Sequence, residues 1–77
     1  MEAEKMLYEV IVGAFGLWYN ACLVNDEAKG KGLSTCIQRY GGKYCVAAGS
    51  FSSEKAAMER LLKVRKTGYV FAYIINK

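Results

Sequence analysis

Tyr8-Glu9-Val10-Ile11-Val12-Gly13-Ala14-Phe15 returns as Tyr44-Cys45-Val46-Ala47-Ala48-Gly49-Ser50-Phe51, a shift of 44 − 8 = 36 residues. The shift persists downstream, where Ala21 meets Ala57 and Gly32 meets Gly68. A repeat of this period implies one supersecondary unit used twice. A single copy is too small to bury its apolar faces, and two copies are too few for a solenoid. The reading is one domain over residues 7–77, built of repeats at about 7–40 and 43–76, with residues 1–6 a polar lead-in.

Within each unit the hydrophobic period switches from two to helical and back. Residues 7–14 alternate, with Tyr8, Val10 and Val12 on one side and Glu9, Ile11 and Gly13 on the other, as in a half-buried strand. Residues 18–31 place Ala21, Val24 and Ala28 on one stripe and are closed by Gly30 and Gly32, a helix with its stop signal. Ser34 to Arg39 reads as a second strand, Tyr40-Gly41-Gly42-Lys43 as a hairpin turn, and Tyr44 to Gly49 as a third strand. Ser53 with Glu54 behind it is a helix start, and Ala57, Leu61 and Val64 form that helix's buried stripe. Residues 69–76 are read as the last strand.

The order β-α-β-β-α-β predicts an α+β fold: a four-stranded antiparallel sheet with both helices on one face. The other face is then left open. If Tyr44, Val46 and Ala48 face the helices, Cys45 and Ala47 face away, together with Ile11, Cys36, Gln38, Phe71, Tyr73 and Ile75. A register slip in the last strand, where three apolar residues run together, would instead turn its outward residues into core. So apolar an open face binds something or pairs with a copy of itself.

Composition bounds the function. The 77 residues are 53% hydrophobic with a formal net charge of +4, a mild excess that suits an acidic partner or simple solubility. No apolar run approaches a membrane span and no signal peptide opens the chain, so a place in the envelope requires a parent chain or another export route; otherwise the chain is cytoplasmic. There is no histidine, which removes Ser–His and Cys–His nucleophiles. The seven acids sit on the lead-in, the helices and Glu9, so no carboxylate pair for glycoside hydrolysis converges on the open face. No catalytic residues and no cofactor are expected. Three cysteines without C-x-x-C spacing do not make a structural metal site. With the hairpin centred on Gly41-Gly42, opposing residues sum to 83; Cys45 faces Gln38 and Cys36 faces Ala47, a diagonal that favours free thiols.

Two other features have alternatives. Trp18 and Tyr19 are ligand aromatics or, the preferred reading, half core and half rim. Lys55, Arg60, Lys63, Arg65 and Lys66 meet an acidic polymer or, since Glu54 and Glu59 interleave with them, form a solvated helix face.

The doubled Tyr-x-Val-x-x-Gly-x-Phe pattern, each copy followed by an alanine (Ala21, Ala57) and a glycine eleven residues on (Gly32, Gly68), resembles the SPOR domain, the sporulation-related repeat. Phe51-Ser52-Ser53-Glu54-Lys55-Ala56-Ala57 is similar to that family's second helix start, and the resemblance covers about residues 7–76. It implies a non-catalytic module that binds glycan strands of peptidoglycan, at division septa or as the targeting part of a wall hydrolase or phage lysin, in the bacterial cell envelope. It also implies that the glycan lies on the open sheet face. By position, the family's strand-one glutamine falls on Ile11, its serine on Ala14, its aromatic before strand three on Lys43 and its last-strand tryptophan on Tyr73. Gln38, Cys45 and Ala47 complete the candidate site.

The alternative is a protein-interaction or self-association module using Ile11, Phe71, Tyr73 and Ile75, although a monomer is favoured. RNA binding ranks last: RNA-recognition motifs share the element order but carry stacking aromatics where strand three here offers Cys45 and Ala47, so no nucleic-acid partner is expected.

Overall fold

The computed structural model describes residues 7–76; the lead-in of residues 1–6 lies outside this range, as does Lys77. The elements are β1 (Tyr8–Phe15), α1 (Trp18–Gly30), β2 (Cys36–Tyr40), β3 (Lys43–Phe51), α2 (Glu54–Lys66) and β4 (Tyr73–Asn76). The strands form one antiparallel sheet in the order β2-β3-β1-β4, so each β-α-β unit straddles a strand of the other. The predicted α+β architecture is the observed one.

Both helices cover the same face. Val10, Val12, Val46 and Ala48 rise from the central strands to meet Ala21 and Ala28 of α1 and Ala57, Leu61 and Val64 of α2, all buried. Small alanines at these positions let the helices settle close to the sheet. Each helix then stops by the same device. Gly32 (φ +91°) donates to Lys29 and Leu33 to Ala28; Gly68 (φ +120°) donates to Arg65 and Tyr69 to Val64. This is the Schellman pattern, and its left-handed residue is Gly32 rather than Gly30. At the start of α2, Ser53 Oγ accepts the Ala56 amide at 3.4 Å.

The Gly-x-Phe signature has a physical reason. A Cβ on Gly13 would lie 2.9 Å from the Phe15 ring, and one on Gly49 would lie 2.8 Å from the Phe51 ring. In both repeats the phenyl folds back over the glycine. The β1–β3 register shifts on either side of Ile11, so Gly13 pairs with Val46 and Ala14 with Cys45. This bulge corrects the strict alternation: Gly13 joins the helix-side row, Ala14 turns outward, and Phe15 packs against the core.

Two strands are shorter than the periodicity suggests. Thr35 is held back by α1, its hydroxyl donating to Asn25 Oδ1 at 2.7 Å, so β2 begins at Cys36. Before β4 the chain turns at Tyr69–Ala72, closed by Ala72 N–H to Tyr69 O at 3.1 Å. The Ala72 carbonyl is taken by Arg65 at 2.8 and 3.2 Å rather than by a neighbouring strand. Phe71 therefore lies in a turn and not in the strand.

Candidate functional site

The sheet face opposite the helices carries a row through all four strands: Cys36 (β2) opposite Ala47 (β3), opposite Ile11 (β1), opposite Tyr73 (β4). The next row runs Gln38, Cys45, Ala14. The hairpin register predicted from Gly41-Gly42 is the observed one, and Lys43 pairs with Tyr40 beside the turn. All seven candidate residues, Ile11, Ala14, Gln38, Lys43, Cys45, Ala47 and Tyr73, thus lie on this face or its hairpin edge.

The centre of the face is not bare. Ile11, Cys45 and Ala47 are 0%, 3% and 2% exposed and form a small second core with Ala14 and Ile75. A surface ligand would rest on the residues around them: Tyr73 at 40% exposed, Lys43 and Cys36 exposed, Ala14 and Gln38 half-buried. Tyr40, exposed at the end of β2, adds an aromatic that the sequence reading counted only as part of the turn.

Glu9 is the residue the sequence reading undervalued. It points to the open face as predicted, yet is only 3% exposed. Its Oε2 accepts from Gln38 Nε2 at 2.9 Å. β1 and β2 are separated by β3, so this bond reaches over the middle strand and overlies the small side chains there. An acid within an otherwise apolar strand was the available signal.

Tyr73 carries the polar chemistry of the β4 edge. Burial, and secondly the nearby Cys45 thiol, push its phenol above the ordinary value of 10.0, so the hydroxyl remains a neutral donor throughout the physiological range. None of Cys22, Cys36 and Cys45 forms a disulfide. Among the described residues no cluster of His, Cys, Asp or Glu could hold a metal ion, and no helix is long and apolar enough to cross a membrane.

The other sequence candidates belong to the helix side. Trp18 is 55% exposed and packs edge-on against Tyr44, with ring centroids 5.4 Å apart, which makes it half core and half rim. Arg60 donates to the Ala48 carbonyl at 2.7 Å and lies over the Phe51 ring; Arg65 holds Ala72. Two of the five basic residues of α2 are therefore structural.

No protein-family model and no curated protein matches the sequence. Solved structures do. The solution structure of the peptidoglycan-binding domain of the Bacillus subtilis cell wall lytic enzyme CwlC superposes with a TM-score of 0.80 at 28% identity. The match covers 100% of this chain and 96% of that one. A crystal structure of a Burkholderia pseudomallei K96243 protein superposes with a TM-score of 0.76 at 11% identity, over 97% of this chain but 16% of that one, and shows the fold alone.

Proposed function

We propose that this chain is a peptidoglycan-binding module of the SPOR type that holds glycan strands on its open sheet face. The observation that carries the reading is the end-to-end likeness to the CwlC peptidoglycan-binding domain, joined to a face with an aromatic edge and polar neighbours. In this reading Tyr73 stacks on a sugar ring while its hydroxyl donates to a neighbouring oxygen. Gln38, on β2 at the opposite edge of the sheet, supplies amide hydrogen-bonding capacity, which matters because sugar hydroxyls are costly to desolvate unless paired. Ala14 leaves room for the chain to lie flat. Ile11, Cys45 and Ala47 do not touch the ligand; they support the surface that does.

Lys43 gives a reason for choosing stripped glycan. Removing a stem peptide from muramic acid exposes the lactyl carboxylate, and an exposed ammonium at the hairpin pairs with it. The module is non-catalytic: it brings a fused or partner wall hydrolase, as in a cell-wall or phage lysin, to septal or other peptidoglycan. The competing self-association reading loses ground because the apolar centre it needs, Ile11 above all, is already covered.

Retention on purified sacculi, before and after an amidase removes the stem peptides, tests the reading. Retention that rises with stripping supports denuded-glycan binding; none on either preparation rejects it.

A further inference from the structure

The two repeats keep their offset of 36 through the helix stops, where Gly32 matches Gly68 and Leu33 matches Tyr69 in the same bonds. They then lose it. Cys36 pairs with Ala47 and Tyr73 pairs with Ile11, so Cys36 and Tyr73 are equivalent positions, 73 − 36 = 37 apart. The second repeat has one residue more between Tyr69 and Tyr73.

That residue lies in a turn anchored at both ends. Tyr69 donates its hydroxyl to Glu27 at 2.7 Å and has Lys31 Nζ 4.7 Å over its ring. Ala72 is 1% exposed with its carbonyl on Arg65. With its ends fixed to the helix-side layer, the turn projects Val70 and Phe71. At 89% exposed, Phe71 is the most exposed large apolar side chain among the described residues. It lies two residues before Tyr73, the first residue of the edge strand β4.

We propose that Phe71 is a second stacking surface of the glycan site, created by the inserted residue. The proposal rests on the glycan-binding reading and extends it. Two aromatics at this spacing meet consecutive rings of one sugar strand. Because the pseudo-symmetric edge offers Cys36 and Gln38 instead, with Tyr40 only at its hairpin end, the paired aromatics lie on one side, and a strand is held in one polarity.

The test is calorimetric titration with a soluble stem-free glycan tetrasaccharide, using wild type, Phe71→Ala, Phe71→Trp and, on the helix layer, Leu62→Ala. The expected result is about tenfold weaker binding for Phe71→Ala, recovery in Phe71→Trp and no change for Leu62→Ala. Thermal midpoints stay unchanged for Phe71→Ala because the residue is 89% exposed. Wild-type binding with Phe71→Ala unaffected overturns the proposal and leaves the glycan reading standing. Absence of wild-type binding overturns both.

Discussion

Glu9 and Gln38 are hydrogen-bonded at 2.9 Å although their strands are not neighbours. The carboxylate of β1 reaches over β3 to the amide of β2, and ties three strands together on the face that has no helices. Hydrogen bonds to charged groups contribute about 1.5–3 kcal/mol, and a buried carboxylate that loses a partner bears a desolvation penalty as well. Gln38→Ala is therefore expected to destabilise the fold by roughly 2 kcal/mol in urea unfolding. A change within about 0.5 kcal/mol, ordinary for a surface substitution, would show that the bridge is incidental.

The glycines of the repeated motif should differ in what they tolerate. Alanine at either Gly13 or Gly49 collides with the phenyl two residues on. Only Gly49 also has a positive φ, +137°. Gly49→Ala should accordingly lose about 1–2 kcal/mol more stability than Gly13→Ala. Equal losses in a denaturant series would mean that ring displacement, not backbone strain, sets the cost.

Alkaline stability should report the Tyr69 clasp. Burial, the hydrogen bond to Glu27 and that residue's charge push the Tyr69 phenol from 10.0 to about 12. A group whose folded pKa is raised contributes fully below its unfolded value and loses that contribution as pH climbs through the folded one. The clasp's contribution to stability is thus full below about pH 10 and is lost between about pH 10 and 12. Tyr69→Phe should flatten the dependence of the thermal midpoint on pH across that window; an unaltered slope would remove Tyr69 as its source.

Tyr73→Ala should weaken retention on stem-stripped sacculi by about tenfold while leaving the fold intact, since the ring is 40% exposed. Undiminished retention would place the stacking platform elsewhere.

Much of this architecture was legible in the chain. The doubled motif gave the topology, Gly41-Gly42 set the hairpin register, and Ala57, Leu61 and Val64 were recognisable as the buried stripe of α2. What escaped were departures from period two. The bulge at Gly13 depends on a phenyl folding back, which alternation cannot encode. The truncation of β2 and β4 depends on Asn25 and Arg65, each on the preceding helix, capturing groups the strand would otherwise use. The burial of Ile11 and Glu9 on a face predicted to be open was hidden for a similar reason. Small neighbours and a bond across β3 cover them, and neither shows in local pattern.

The central claim is that a glycan strand lies on the helix-free face. Titrating isotope-labelled protein with stem-free glycan oligosaccharides, while following its backbone amide resonances, tests it most directly. The account predicts shifts centred on Ala14, Gln38, Lys43 and Tyr73, with Leu23 and Leu62 on the helices unmoved. Shifts concentrated on α1 and α2, or none at saturating ligand, would contradict it.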